Sequence, residues 1–248
     1  MIWGVFTDVH SNVEALDAVL KYFTEHKVEG YICCGDIVGY GPSPNEVIER
    51  IAGLKPLRAV VGNHDVAVLG KMDLKWFNDY AQAATLWTQK QLNAKSIKFL
   101  ESLKTVSSSR KGFLVVHGSP RRPLEEYLLT PEQFLDNLNH IPVSPCFVGH
   151  SHLPWCFAKD PDAPLGVASY FLKDCEKVEV NPKVHWVLNP GSVGQPRDRD
   201  SRASCGIYDD AKNEFSLHRV YYDVAATQKR MKEAGLPEFL AKRLGVGQ

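Results

Sequence analysis

The 248-residue sequence lacks the features that mark secreted, membrane and nucleic-acid-coating proteins. Its N-terminus has no basic segment followed by an apolar run and a small-residue cleavage site, and no window is apolar enough for a membrane span. Lys and Arg number 29, as do Asp and Glu, so zero net charge argues against binding of long nucleic acid. The six cysteines form no C-x-x-C pair, which argues against a zinc knuckle or a redox motif. We therefore expect a cytoplasmic protein with buried, reduced cysteines and no membrane partner.

Strand and helix patterns alternate along the first part of the chain. The βαβαβ order of the first five elements predicts a largely parallel first sheet. Most of the later segments read as β-strands, and two helices close the chain. The predicted strands cover 2–7, 31–34, 57–61, 112–116, 145–148, 184–188, 204–208 and 215–220, and the predicted helices cover 12–25, 43–51, 131–138, 225–234 and 237–244.

The segment 73–103 has a different, helical pattern. Tyr80, Ala84, Trp87 and Gln91 share one face of a predicted helix, and Ser96 is placed to cap a second one. We interpret the segment as a helical hairpin inserted into a single domain that spans residues 1–248. The hairpin covers either the edge of the sheet or the functional site, and the sequence leaves this choice open.

Side chains that bind metals follow five of the predicted strands. In open α/β sheets, ligands bind beyond the carboxyl ends of the strands, so these segments can converge on one crevice. If strand geometry persists, residues two apart point to one face, and each D-x-H or H-x-H pair can clamp one ion. Carboxylate, imidazole and amide donors together suit Mn, Fe, Zn, Co or Ni better than Mg or Ca. The five segments are Asp8-Val9-His10, Gly35-Asp36, Gly62-Asn63-His64-Asp65, His117-Gly118 and Gly149-His150-Ser151-His152.

The order of these motifs resembles the calcineurin-like metallophosphoesterase superfamily. The stretch Asn189-Pro190-Gly191-Ser192 resembles a loop of its smaller bacterial and archaeal members. The segments that begin at Gly39 and at His117 resemble a phosphodiesterase subgroup close to the diadenosine-polyphosphate hydrolases. The resemblance implies an α/β (α+β) fold, namely a four-layer αββα sandwich of two mixed β-sheets flanked by helices.

The same resemblance implies a centre of two divalent transition metal ions. It assigns Asp8, His10 and His152 to one ion, Asn63, His117 and His150 to the other, and Asp36 to both. His64 falls at the position of the catalytic histidine of the superfamily. The implied reaction is hydrolysis of a phosphodiester or a nucleotide polyphosphate by a hydroxide that bridges the two ions.

One position departs from the pattern of the protein Ser/Thr phosphatases of this superfamily. Where they have a second aspartate that orients the catalytic histidine, this chain has Gly39. The partner of His64 is therefore left open, and the protein-phosphatase interpretation is weakened. A phosphomonoesterase or protein phosphatase, and a non-catalytic scaffold on the same fold, stay as alternatives.

Arg121, Arg197 and Tyr40 are the predicted substrate-binding residues. Arginines near a metal centre can bind further phosphates through two hydrogen bonds each. Arg197 also lies in an alternating Arg-Asp run that can neutralise itself, and Tyr40 or the Trp76-Phe77 pair can stack on a base or pack in the core. The expected partner is a small phosphate ester or nucleotide, and a homo-oligomer is left open.

Asp36→Asn tests the predicted bridge between the two ions. The amide keeps the size of the side chain but removes the negative charge that two cations would share, so we expect both metal sites to weaken. The metal content of the purified variant should fall well below two ions per chain, as measured by inductively coupled plasma mass spectrometry. A variant that holds two ions and hydrolyses its substrate normally would contradict the assignment.

Overall fold

Two mixed β-sheets of six strands each stand at the centre of the computed structural model, which describes residues 1–108 and 112–248. In spatial order, the first sheet contains β3 (Leu57–Ala59), β2 (Gly30–Cys33), β1 (Ile2–Phe6), β11 (Ala203–Asp209), β12 (Glu214–Val220) and β9 (Lys177–Glu179). The second sheet contains β4 (Val106–Ser108), β5 (Leu114–Val116), β6 (Cys146–Phe147), β10 (Trp186–Leu188), β7 (Trp155–Lys159) and β8 (Val167–Phe171).

Eight α-helices accompany the sheets in these described ranges. They are α1 (Val13–Glu25), α2 (Pro44–Gly53), α3 (Asn63–Val68), α4 (Asp79–Gln91), α5 (Ala94–Ser102), α6 (Pro131–Asn137), α7 (Val224–Glu233) and α8 (Glu238–Leu244). Short 3₁₀ turns lie at Leu74–Trp76, Leu138–His140 and Pro164–Gly166.

The first sheet is only partly parallel, so the expectation drawn from the βαβαβ order was wrong. β1, β2 and β3 run parallel, with Trp3 opposite Gly30 and Tyr31 opposite Leu57. The other neighbour of β1 is β11, which runs antiparallel, and β12 and β9 continue the sheet in antiparallel pairs. The mixed sheets implied by the family resemblance are confirmed.

Alternating side chains of the strands build successive hydrophobic layers. Val115 and Phe147 lie in the core between the two sheets, together with Phe215 of β12. Their neighbours Leu114 and Cys146 point the other way, into the core beneath α6. The apolar faces of α1 and α2 cover the outer face of the first sheet. The order helix, sheet, sheet, helix confirms the predicted four-layer αββα sandwich.

Asparagine side chains cap the two helices of the segment predicted as a hairpin. Asn78 accepts a hydrogen bond at the start of α4, and Asn93 accepts one from the backbone N–H of Ser96 at the start of α5. Ser96 is thus the third residue of α5, and its predicted capping role was wrong. Its hydroxyl instead donates to the side-chain oxygen of Asn45 at 2.7 Å, which joins α5 to α2.

The buried face of α4 is rotated relative to the predicted one. Ala84 and Trp87 pack against the helices α7 and α8, in agreement with the prediction. Tyr80, however, is 47% exposed, and Gln91 is exposed as well. Ala81 is buried instead, in one hydrophobic cluster with residues of the C-terminal helices.

Two of the compositional expectations can be compared with the described residues. None of the helices there is both long enough and apolar enough to cross a bilayer. Five of the six cysteines are buried as small apolar side chains, and the sixth, Cys175, is exposed.

Phe147→Ala tests the core between the two sheets. Phe147 is fully buried and packs against Phe113, Tyr208 and Phe215. Its truncation should lower the free energy of unfolding by about 3–5 kcal/mol, measured by chemical denaturation. As a control, Phe171→Ala on the edge strand β8 should cost roughly 1 kcal/mol or less. Equal losses in both variants would show that the inter-sheet core is not the main source of stability.

Candidate metal centre

Seven side chains with metal-binding atoms meet where turns of the two sheets approach each other. The first sheet supplies Asp8, His10, Asp36 and Asn63, and the second sheet supplies His117, His150 and His152. Six of the seven are buried, and Asn63 is partly exposed. The residues predicted as ligands are therefore brought together, but from two facing sheets rather than along the edge of one open sheet.

The turns that carry these ligands have a left-handed backbone. The φ angles are 51° at Asp8, 47° at His10, 67° at His150 and 60° at His152. The expectation that strand geometry continues through the D-x-H and H-x-H pairs was therefore wrong. A left-handed residue with a Cβ costs roughly 1–2 kcal/mol, so the surrounding structure must hold it in place. Such strain is common at functional sites.

The loop Asn189-Pro190-Gly191-Ser192 holds the turns of both sheets in place. The side-chain amide of Asn189 donates to the carbonyl of Gly149 at 2.7 Å, in the turn of the second sheet. The hydroxyl of Ser192 donates to the carbonyl of Asp8 at 2.8 Å, in the turn of the first sheet. One loop thus fixes the relative position of two groups of candidate ligands that are distant in sequence.

Three of the histidines have their tautomer fixed by a backbone carbonyl. The pairs are His10 Nδ1 with Val38 O at 3.1 Å, His117 Nδ1 with Cys34 O at 2.8 Å and His152 Nδ1 with Gln195 O at 2.6 Å. A carbonyl oxygen only accepts, so Nδ1 must carry the hydrogen. In a neutral ring, the lone pair is then on Nε2, which is the arrangement of a histidine that binds a metal.

In the first cluster, two such lone pairs face each other. Nε2 of His10 lies 3.1 Å from Nε2 of His152, and Nε2 of His152 lies 3.4 Å from Oδ1 of Asp8. Nε2 of His10 lies 3.6 Å from Oδ2 of Asp36. With both Nδ1 atoms protonated, neither imidazole can donate to the other, so the arrangement fits a cation placed between these acceptor atoms.

The second cluster is arranged around Nε2 of His117. This atom lies 3.0 Å from Oδ1 of Asn63, 3.2 Å from Nδ1 of His150 and 3.3 Å from Oδ2 of Asp36. The same carboxylate oxygen of Asp36 therefore faces both clusters. Each cluster contains at least three groups that could hold a metal ion, and Asp36 belongs to both.

Burial keeps most of these imidazoles neutral at pH 7. It lowers the pKa of His10 and that of His152 well below the ordinary value, and it lowers the pKa of His150 to about 3. Burial alone would raise the pKa of Asp36, but the nearby imidazoles, His117 first, hold it well below its usual range. The pKa of His117 is raised to about 9, because Asp36 outweighs the opposing effect of burial. A positive charge is thus favoured beside Asp36.

Aromatic rings rather than a carboxylate surround His64. Its ring centroid lies 4.5 Å from that of Tyr40 and 4.7 Å from that of Phe77. Its Nδ1 is buried and has no hydrogen-bond partner within the described ranges. A Cβ added to Gly39 would lie 2.9 Å from this nitrogen. Position 39 therefore does face the ring, and the absent carboxylate leaves Nδ1 unpaired.

A cavity of about 280 Å³ opens onto the ligand clusters. Tyr40 and Arg197, two of the predicted substrate residues, line it. Arg121 is not among the described residues that line it. The guanidinium of Arg121 instead pairs with the carboxylates of Glu126 and Asp136, which neutralise it. The structure thus gives no support to a substrate-binding role for Arg121.

Comparison with known proteins bears directly on this geometry. The family model of the calcineurin-like phosphoesterase superfamily domain matches residues 1–213. The chain belongs to this superfamily. The curated protein MJ0912 of Methanocaldococcus jannaschii, described as uncharacterized, is 39% identical to this phosphoesterase over 99% of this chain and 98% of its own length.

Solved structures agree in fold over the whole chain. The metallophosphoesterase from Sphaerobacter thermophilus is 40% identical, with a TM-score of 0.89 over 100% of this chain and 99% of its own. The hypothetical protein PH1004 from Pyrococcus horikoshii OT3 is 23% identical, with a TM-score of 0.80 over 100% of this chain and 98% of its own. The second similarity shows the fold alone. The superfamily predicted from the motifs is confirmed.

Two residues that line the cavity of this calcineurin-like phosphoesterase were not predicted from its sequence. Arg243 lies in the last turn of α8, where a basic residue is ordinarily explained by the helix dipole. Tyr127 stacks on the imidazole of His150, with ring centroids 3.9 Å apart. Its position after the His117-Gly118 motif is the one hint that sequence could have offered. Trp76 also lines the cavity and is 74% exposed, so it does not pack in the core.

Metal binding by this phosphoesterase should release protons at neutral pH. The pKa of His117 is raised to about 9 by Asp36 against the effect of burial, and burial raises the pKa of Asp8 to about 7. Both groups must be deprotonated to act as ligands, so metal competes with protons below these values. The apparent affinity for Mn²⁺ should therefore rise between about pH 6 and pH 9, by up to tenfold per pH unit for each proton displaced.

The number of protons released per bound Mn²⁺ can be measured by isothermal titration calorimetry at pH 7 in buffers of different ionisation enthalpy. A pH-independent affinity without proton release would contradict the assignment of His117 and Asp8 as ligands.

Proposed function

We propose that this protein is a dinuclear metal-dependent phosphoesterase that hydrolyses a phosphodiester or a nucleotide polyphosphate. The observation that carries the proposal is the position of the Asp36 carboxylate, which belongs to both ligand clusters. One ion would be held by Asp8, His10, His152 and Asp36, and the other by Asp36, Asn63, His117 and His150. This donor set suits Mn, Fe, Zn, Co or Ni.

Two such ions, when bound, would supply Lewis acidity toward the phosphoryl oxygens and lower the pKa of the attacking water. His64 lines the cavity next to them, and its backbone N–H donates to Oδ1 of Asp36 at 2.9 Å. Burial lowers the pKa of His64 to about 4, so its ring is neutral at pH 7. A neutral ring would donate an N–H hydrogen bond to the leaving oxygen as negative charge develops there. Tyr40 and Phe77 would orient the ring by packing against it.

The cavity walls support a small nucleotide as the substrate. The indole of Trp76 is exposed at the cavity, and nucleobases stack on such rings. The cavity is also lined by Arg197, which can bind phosphate oxygens. We infer a small phosphodiester or nucleotide polyphosphate rather than a long nucleic acid.

Two alternatives are disfavoured by particular residues. Gly39 lies against Nδ1 of His64 without the carboxylate expected of a protein Ser/Thr phosphatase. A non-catalytic scaffold has no need of a buried, neutral histidine beside two ligand clusters, yet His64 is there. The enzyme interpretation accounts for both residues.

Hydrolysis of bis-p-nitrophenyl phosphate and of diadenosine tetraphosphate, by metal-stripped protein with and without Mn²⁺, tests the proposal. We expect turnover of at least one substrate that depends on Mn²⁺, and the ratio of the two kcat/KM values separates a simple phosphodiesterase from a polyphosphate hydrolase. If neither substrate turned over with Mn²⁺, Fe²⁺, Zn²⁺, Co²⁺ or Ni²⁺, although metal was bound, the result would favour the scaffold.

Two histidine variants serve as controls in the same assay. His64→Ala should keep its metal and lose about 10²–10⁴-fold in kcat, which is the usual contribution of such a group. His140→Ala removes an exposed histidine outside the cavity and should behave as the unaltered protein. Full activity of His64→Ala would show that His64 does not assist the leaving group.

A further inference from the structure

Two arginines from distant parts of the chain line the cavity beside the ligand clusters. Arg197 follows the loop that joins the two sheets, and Arg243 belongs to α8 at the C-terminal end of the chain. The same cavity is lined by Asp36, so both cations share a small space with the ligand clusters. Neither arginine appears in an ion pair with a carboxylate side chain in the described part of the chain, in contrast to Arg121, Arg202 and Arg219.

Arg197 is held in place but not neutralised. One of its terminal nitrogens, Nη2, donates to the side-chain oxygen of Gln195 at 3.0 Å. Its Nε is buried and finds no hydrogen-bond partner among the described residues. The neighbouring acidic residues Asp198 and Asp200 pair with Arg219 and Arg202 instead. The Arg-Asp run therefore does not neutralise itself at Arg197.

The side chain of Arg243 is held by two contacts at the C-terminal end of the chain. Its Nε donates to an α-carboxyl oxygen of Gln248, the last residue of the sequence, and its guanidinium lies 5.6 Å from the ring centroid of Phe239. No other hydrogen bond of this guanidinium is present in the described structure, so its terminal nitrogens are available to the cavity. The helix itself is anchored because Leu240 and Leu244 pack with Tyr40 in one hydrophobic cluster.

The positive charges of the two guanidinium groups repel each other. Burial and the positive charge of Arg197 together lower the pKa of Arg243 to about 10. The guanidinium of Arg243 nonetheless stays charged at pH 7, so two like charges are held in a partly buried space. Glu125 also lines the cavity, but it forms no ion pair with either arginine in the described structure. Such an arrangement is stabilised by a bound anion, which guanidinium groups recognise through paired hydrogen bonds.

We propose that Arg197 and Arg243 form a binding site for a phosphate group adjacent to the one that is hydrolysed, so that the preferred substrates contain a phosphoanhydride-linked chain. This inference rests on the proposed function, since it takes the ligand clusters to hold the scissile phosphate. It also gives the C-terminal helix α8 a role, because this helix supplies Arg243, one of the two arginines of the site. A substrate with a single phosphate would leave the arginine pair without its ligand.

Calorimetric binding of a pyrophosphate analogue and of orthophosphate to the metal-loaded, full-length protein tests the site. The analogue is methylenediphosphonate, whose P–C–P linkage cannot be hydrolysed, and every Kd of pyrophosphate below is measured with it. Both anions can contact the metal centre with one phosphate group. The ratio of their Kd values therefore measures how much the second phosphate group adds to the affinity. We expect pyrophosphate to bind more tightly than orthophosphate. Arg197→Gln and Arg243→Gln should each raise the Kd of pyrophosphate by about 10- to 100-fold, the usual effect of a lost charge-assisted hydrogen bond, and that of orthophosphate by much less.

Lys242→Gln is the matched control for Arg243→Gln. Lys242 precedes Arg243 on α8, carries the same charge and is exposed. Among the residues that the structure describes, it pairs only with Glu238 on the same helix. Its substitution should leave both Kd values within about twofold. If Lys242→Gln weakened pyrophosphate as much as Arg243→Gln, the effect would be one of general charge and the site would be refuted.

Two further outcomes would overturn the inference. Equal weakening of both anions would place the arginines on the phosphate at the metal centre, and unchanged binding in both arginine variants would remove them from the site. Since binding is measured without turnover, failure of the proposed hydrolysis is a separate result. The pyrophosphate preference, and its loss in the arginine variants, would stand even if no ester were cleaved.

Discussion

The buried carboxylate of Asp36 is the interaction on which the rest of the centre depends. It lies within 3.6 Å of Nε2 of His10 and of Nε2 of His117, and it accepts the backbone N–H of His64. A charge at this depth is costly unless positive groups surround it. The protonated imidazole of His117 supplies most of this compensation, so Asp36 stays ionised and draws the candidate ligands and the backbone of His64 around it.

The residues that meet in the candidate centre could be predicted because each of them lies in a short motif at the end of a strand. Such motifs are local, and apolar strands followed by Gly, Asp or His are visible without knowledge of the fold. The left-handed backbone at Asp8 and His150 was not predictable in this way, because distant residues impose it. The carbonyl of Asp8, for example, accepts hydrogen bonds from Ser192 and Gly194.

The failures of prediction have the same physical origin. Arg121 was expected at the substrate, but Glu126 and Asp136 neutralise it, and sequence alone did not show which acidic residues would reach it. Strands β4, β7, β8 and β9 were not predicted, because their pairing partners rather than their own composition make them strands. Arg243 was missed because its place in the cavity depends on the packing of α8 against Tyr40.

The origin of the ligands from two facing sheets has a further consequence. An ion held by Asp36 and His117 would fasten one sheet to the other, in addition to the hydrophobic contacts between them. Ligands that bind only the native state stabilise it by an amount that grows with their concentration, about 4 kcal/mol at a thousandfold excess over Kd. Metal bound at this centre would then contribute to the stability of the folded chain as well as to its chemistry, and removal of the metal would weaken the contact between the two sheets.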